Sequence, residues 1–369
     1  MSASLPIPNG PDELTADWLT AALREGDAIT APAQVGSFEA ELMSEGVGFI
    51  GIVARLKLTY AGDADGAPRT MIAKFPSPDP GARQVGEMYG LYEREVRFYR
   101  DLGDSVGVRA PRCYYAAMQP GEGKYVLFLE DLAAHGRLGD QVAGCSFDEA
   151  ALAIGELAKL HGTWWQSPRL DEIPWLRRGS ELVRAPMQQV YPLVSAVCLE
   201  RYGGEMTEAI RAAVPTLGEK VVRWLDEVDA SAPMTLTHGD YRLDNMFFPM
   251  ARSGELAIID WQSPNIGWGT YDLAYFIAGS MPPEQRRRCE RELLARYHAL
   301  IEQHGARGYS LDQLSADYRM SMMAYLAMFV INGATLDASN PRAAQLFEVI
   351  FGRLVAAITD LDAVSLLPA

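Results

Sequence analysis

The sequence predicts an α+β fold, with a small antiparallel sheet and one inserted helix in the N-terminal part and a larger, mainly helical C-terminal part. Three observations lead there. Between Val35 and Phe75, residues such as Arg55, Lys57 and Thr59 alternate with apolar Leu56, Leu58 and Tyr60, the period of a half-buried strand. After about Asp131 the apolar residues recur at spacings of three and four, as on a helix with one buried face. A single strand-rich island, Met234 to Trp261, interrupts those helices.

Taken in order, Thr15 to Arg24 reads as a helix that packs against the segment after it. Ile52 to Tyr60 is a strand, Gly62 to Pro68 (GDADGAP) a turn, and Thr70 to Phe75 (TMIAKF) the returning strand. A helix is expected over Gly86 to Leu102, then strands over Pro111 to Met118 and Tyr125 to Leu129. Helical periodicity covers Glu149 to Trp165, Thr207 to Val228, Pro283 to His304, Leu311 to Ile331 and Pro341 to Thr359. The expected division is residues 1–130 and 131–369, with the connection near Glu130.

A length of 369 residues suits two domains or lobes. Hydrophobic residues are 49% and charged residues 22%, the composition of a globular chain. The net charge of −15 and a pI near 4.8 argue against a nucleic-acid partner and against anionic membrane surfaces. Cys113, Cys145, Cys198 and Cys289 form no CxxC pair, so neither a zinc knuckle nor a disulfide framework is expected. No signal peptide is visible, and the apolar run from Met320 to Ile331 is too short to span a bilayer. A cytoplasmic protein is the expectation.

Gly46-Val47-Gly48-Phe49-Ile50-Gly51 spells G-x-G-x-x-G. A strand follows rather than a helix, and Val53 completes the longer G-x-G-x-x-G-x-V form, which suits a hairpin over nucleotide phosphates. Lys74 lies on the next strand between Ala73 and Phe75, where a buried ammonium needs a counter-charge. Glu95 can supply it. In YEREVRFYRDL, Glu95, Tyr99 and Leu102 share one helical face while Glu93 and Arg97 make an outward i,i+4 pair. Glu93 is the fallback partner.

The densest signal is THGDYRLDNMFF at 237–248, followed by AIIDWQ at 257–262. Phosphoryl transfer to an alcohol needs an aspartate near the hydroxyl proton and hard oxygen ligands for a metal. Asp240 fits the first need, and Asn245 and Asp260 fit the second, as ligands for Mg²⁺. Asp272 is expected either to cap its helix or to bond the loop backbone, and His161 to be a satisfied interior histidine. The methionine-rich run with Tyr325 and Phe329 reads as core. Trp164, Trp165, Trp175, Trp268 and Tyr271 are candidates for lining a pocket.

HGDxRxDN followed by IDWQ resembles the catalytic core of the aminoglycoside phosphotransferase and choline kinase-like superfamily, which shares the bilobal protein-kinase fold. The phrases FLEDL, LHGTWW and DWQSPNIGWGTYDLAYF look most like its ecdysteroid kinase-like branch. The resemblance runs from about Gly46 to Phe276. It implies ATP and Mg²⁺ as cofactors, Asp240 as catalytic base, and Asn245 and Asp260 as metal ligands. It further implies that Gly46, Gly48 and Gly51 cover the phosphates, that Lys74 contacts them and that Glu95 positions Lys74. Phe128 to Leu132, including Glu130 and Leu132, would be the hinge whose backbone binds adenine.

Three departures from the protein-kinase pattern make a protein substrate unexpected. Gly239 replaces the arginine of H-R-D, Trp261-Gln262 replaces the Phe-Gly of D-F-G, and no A-P-E segment follows. The expected acceptor is a small-molecule alcohol. A steroid-like or other apolar alcohol would use aromatic and methionine lining, whereas an aminoglycoside or choline would want acidic residues. Two other classes stand beside this reading: a catalytically silent nucleotide-binding module, and a metal-dependent phosphohydrolase built on His238, Asp240 and Asp260.

Overall fold

The computed structural model describes residues 5–43, 51–250, 254–335 and 340–368. Gly46 and Gly48 lie outside the described residues. The chain divides into two compact units, residues 1–136 with 257–263, and residues 137–256 with 264–369.

In the first unit α1 (Ala16–Glu25) precedes β1 (Gln34–Leu42), β2 (Gly51–Ala61) and β3 (Thr70–Pro76). Then come α2 (Pro80–Met88), α3 (Leu91–Asp101), β4 (Cys113–Gln119) and β5 (Lys124–Glu130). The strands form one antiparallel sheet in the order β1-β2-β3-β5-β4. Thr15 starts α1 by accepting from the Trp18 amide at 3.1 Å, a cap worth about 1 kcal/mol. Leu19, Ala22 and Leu23 of α1 then bury against Leu56, Met71, Ala73, Phe75 and Phe128 of the sheet.

Alternation on β3 decides the site. Met71, Ala73 and Phe75 point into that core, so Ile72 and Lys74 must point to the opposite face. The helical segment expected over 86–102 is two helices. Gly90 sits between them at φ 64°, a left-handed conformation that interrupts the α3 run and that glycine adopts without a Cβ penalty.

In the second unit α4 (Phe147–Thr163), α5 (Gly179–Gln189), α6 (Tyr191–Tyr202) and α7 (Glu208–Ser231) lead to the strands β6 (Met234–Thr237) and β7 (Met246–Pro249). β8 (Asn265–Trp268), α8 (Gly269–Ser280), α9 (Pro283–Gln303), α10 (Leu311–Thr335) and α11 (Pro341–Asp360) follow. Ser146 and Glu149 form a reciprocal capping box at the start of α4. β6 pairs antiparallel with β8, with Thr237 opposite Asn265, and the HGD loop leaves directly from the end of β6. Met322, Met323 and Tyr325 on α10 are buried, as expected of core residues. Among the described residues no helix is long and apolar enough to cross a membrane.

Candidate active site

The first unit brings Lys74, Glu95 and Asp260 together. Lys74 Nζ donates to Glu95 Oε1 at 2.5 Å and to Asp260 Oδ1 at 2.9 Å. Glu95 is 3% exposed, while Glu93 pairs outward with Arg97 at 2.7 Å. Helical spacing therefore separated the two glutamates correctly. Burial alone would lower Lys74, but the carboxylates of Asp260 and Glu95 outweigh it and hold the ammonium above its ordinary value. Burial pushes the Glu95 carboxyl up, against the pull of Lys74.

Asp260 has φ 63°, a left-handed backbone that a non-glycine residue adopts only under constraint. The constraint is next to it. Trp261 is fully buried, stacks on Phe98 of α3 and donates from Nε1 to the Ile258 carbonyl at 2.9 Å.

Gly51 has a structural reason of its own. A Cβ there would lie 2.5 Å from the Phe75 carbonyl oxygen and 3.0 Å from the Tyr125 hydroxyl. At the end of β5, the Glu130 carboxylate is taken by Arg109 Nη2 at 2.6 Å and by the Arg112 amide at 3.0 Å. Leu132 is buried, and its carbonyl accepts from His135 N. The Glu130 side chain is thus committed within the protein, so any ligand contact there falls to the backbone.

The second unit holds the HGD loop. Gly239 has φ 80°, which explains a glycine where the kinase pattern carries arginine. Asp272, fully buried near the start of α8, accepts from His238 N at 2.7 Å and Gly239 N at 3.0 Å. It bonds the loop backbone rather than capping its own helix. His161 stands 3.4 Å from Asp272 through Nε2 and 2.7 Å from the Tyr297 hydroxyl through Nδ1. Its role is internal, as expected.

Asp240 is held from several sides. Tyr275 donates to Oδ1 at 2.8 Å, Asn245 Nδ2 to Oδ2 and to the backbone carbonyl at 2.9 Å each, and Arg242 Nε lies 3.2 Å from Oδ1. Burial alone would raise the carboxyl. Arg242, then the Tyr275 hydroxyl, His238 and Asn245 reverse this and hold it below the usual aspartate range. Burial and the Asp240 charge push the Tyr275 phenol well above its ordinary value, so it keeps the proton it donates.

Three residues of this site escaped the sequence reading. Arg242 links Asp240 to Asp244, donating to the latter at 2.8 Å. Tyr275 lies three residues after Asp272 on α8, a spacing that puts both on one helix face and that was visible in TYDLAYF. Gln141 carried no signal at all. Fully buried, it donates from its backbone amide to Asp244 Oδ1 at 2.8 Å, and its side-chain Oε1 accepts from Leu243 N at 2.9 Å. Gly139 N adds a bond to the Met246 carbonyl at 2.9 Å, so residues 139–141 run along the loop.

Each unit, taken by itself, offers an oxygen of the kind a hard cation takes. In the second, Asn245 spends Nδ2 on Asp240 and leaves its carbonyl oxygen; in the first, Asp260 spends Oδ1 on Lys74 and leaves Oδ2. Among the described residues no group of three His, Cys, Asp or Glu side chains gathers as a dedicated metal cage. Mg²⁺ does not need one where substrate phosphates supply ligands.

Known proteins share this fold. A Ralstonia eutropha protein assigned provisionally to the aminoglycoside phosphotransferases has TM-score 0.56 and 17% identity, covering 95% of this chain and 98% of that one. Amicoumacin kinase, in complex with AMP-PNP, Ca²⁺ and its ligand, has TM-score 0.52 and 12% identity, covering 84% and 87%. At these identities the likeness is one of fold, the protein-kinase-like fold with a five-stranded antiparallel sheet and a larger helical part. An uncharacterized kinase-like protein of Caenorhabditis elegans is 22% identical over 247 residues, 66% of this chain and 65% of that protein. The chain spans less than two thirds of the curated relatives it matches, only 8% in the case of mouse acyl-CoA dehydrogenase family member 10. Residues 59–311 match the phosphotransferase enzyme family (APH). That match covers more than half of the sequence, and the chain belongs to this family.

Proposed function

We propose that the protein transfers the γ-phosphoryl group of ATP, with Mg²⁺, to a hydroxyl of a small molecule. The observation that carries this reading is the Lys74 ammonium, half-buried and held by both Glu95 and Asp260. A lysine fixed in this way serves as a phosphate-contacting cation. A phosphohydrolase built on His238, Asp240 and Asp260 gives it no task. His238 also speaks against that alternative, because its Nδ1 accepts from the Asp240 amide at 3.2 Å.

In this reading Lys74 contacts the α- and β-phosphates, Glu95 positions it, and Gly46, Gly48 and Gly51 lie over the phosphates. The backbone of Glu130 and Leu132 takes the adenine; the choice of an adenine nucleotide is supported by amicoumacin kinase, a protein of similar fold that binds AMP-PNP. Asn245 and Asp260 hold Mg²⁺, which neutralises phosphate charge when bound. The acceptor oxygen forms the new bond to the γ-phosphorus, the bond to the β,γ-bridging oxygen breaks, and ADP leaves. Asp240 orients the acceptor hydroxyl and takes its proton.

Aromatic rings around Asp240 favour an apolar, steroid-like acceptor. Tyr275 packs on Tyr325 at 4.3 Å between ring centres, and Tyr271 lies 6.2 Å from Tyr275. The carboxylate of Asp244 is already paired with Arg242, which leaves it little attraction for a polycation.

The test is label transfer from γ-labelled ATP with Mg²⁺ into a lipid-containing cell extract, beside Asp240→Asn, with products partitioned between water and organic solvent. Label in the organic phase is expected. Label in a water-soluble amine or sugar would move the substrate to the aminoglycoside or choline class. Equal signals from both proteins, with MgATP bound, would point to a silent nucleotide-binding module.

A further inference from the structure

We propose that Tyr275 is a positioning residue for phosphoryl transfer: its hydroxyl pins one oxygen of the Asp240 carboxylate and so sets the direction in which the other lone pairs meet the acceptor. The inference rests on the assignment of Asp240 as base. A carboxylate on a loop has one soft torsion about Cβ–Cγ, and a general base loses efficiency when that plane is not held. Here the two oxygens are held separately. Tyr275 donates to Oδ1 at 2.8 Å and Asn245 Nδ2 to Oδ2 at 2.9 Å, at opposite oxygens of one group.

The two restraints differ in origin. Asn245 belongs to the same loop as Asp240, so its bond moves with the loop. Tyr275 belongs to α8, the helix whose Asp272 already fixes the His238 and Gly239 amides. Three residues apart, Asp272 and Tyr275 hold the backbone and the side chain of the loop from a single rigid element. The phenol is itself immobilised. It lies 4.3 Å from the Tyr325 ring, and Tyr325 in turn meets Phe329 edge-on at 4.9 Å. Oδ2 also accepts from Arg242 Nε at 3.3 Å, so the lone pair left for an acceptor hydroxyl is the second one of Oδ1, the oxygen that Tyr275 holds.

A purely packing role for Tyr275 would be satisfied by phenylalanine, because the ring stack survives. A positioning role would not. The experiment is steady-state phosphate transfer from γ-labelled MgATP to water and to the acceptors of a cell extract. It compares the wild type, Tyr275→Phe, Asp240→Asn and the double variant. Tyr191→Phe controls for loss of a buried phenol bond elsewhere, since Tyr191 of α6 donates to the Val214 carbonyl at 2.8 Å. Tyr275→Phe is expected to lower kcat about 10- to 100-fold with KM for MgATP within about twofold, while Tyr191→Phe keeps wild-type turnover. In the Asp240→Asn background, Tyr275→Phe is expected to add no further loss, because its effect passes through the carboxylate. Wild-type kcat in Tyr275→Phe beside a crippled Asp240→Asn would overturn the proposal alone, as would losses that multiply in the double variant. Wild-type turnover in Asp240→Asn would overturn the base assignment beneath it.

Discussion

Phe98 and Trp261 stack face to face, 4.1 Å between ring centres and 4° between planes. Phe98 lies one turn beyond Glu95 on α3, so one helix holds both the carboxylate that pairs with Lys74 and the residue next to Asp260. The strained backbone of Asp260 is kept in place by this contact rather than by its own preference. Phe98→Ala removes a fully buried ring and is expected to cost about 3–5 kcal/mol in urea unfolding. MgATP affinity, measured by calorimetry, is expected to fall with it, because the Phe98 ring supports Asp260 through its stack on Trp261.

Lys74→Ala leaves two carboxylates facing one another without their shared cation. Transfer from γ-labelled ATP is expected to drop at least about 100-fold, and stability by about 3–5 kcal/mol. Adding Glu95→Gln is expected to restore much of the stability and none of the transfer. Unchanged phosphate release by Lys74→Ala would return the phosphohydrolase reading.

Gln141→Met keeps the side-chain length but removes the acceptor of the Leu243 amide. The orphaned amide sets a cost of about 1–3 kcal/mol. The buried Ser280 hydroxyl, which also donates to Gln141 Oε1 at 3.2 Å, loses its acceptor too, and the loss of Gln141 Nε2, buried without a hydrogen-bond partner among the described residues, offsets part of this. Turnover is expected to fall while MgATP binding stays close to the wild type. Thermal melting and a binding titration would separate the two effects.

Burial pushes the Cys145 thiol up to about 12 and the Cys198 thiol up to about 11. At pH 8 the thiolate share is then roughly one in a thousand or less, and the native protein should react slowly with iodoacetamide at both positions. Unfolded thiols ionise near about 8.5, so the unfolded chain gains thiolate first as pH rises. The thiol contribution to stability is therefore intact below that value and is lost progressively above it. Labelling in urea at pH 8 should be fast, and a protected Cys145 in urea would contradict the account.

Much of the architecture was written in periodicity. The alternation on β2 and β3, the helical spacing after Asp131 and the crowding of polar residues between 238 and 260 are local patterns, set by side-chain direction within one element. The same logic turned Glu95 inward and Glu93 outward. The break at Gly90 was harder to see, because a single left-handed residue leaves the flanking apolar spacing nearly unchanged.

What the sequence by itself determined was the kind of chemistry: an acid, an amide and a second acid at fixed spacing, and a lysine on an apolar strand. The tertiary structure alone decided how those groups are held. Gln141 lies 102 residues from the Leu243 amide it accepts, Tyr275 lies 35 residues from Asp240, and Asp260 lies 186 residues from Lys74. No periodicity spans such distances. Hydrogen bonds between side chains depend on where whole elements come to rest, and that is settled by burial of faces whose partners are far away in the chain.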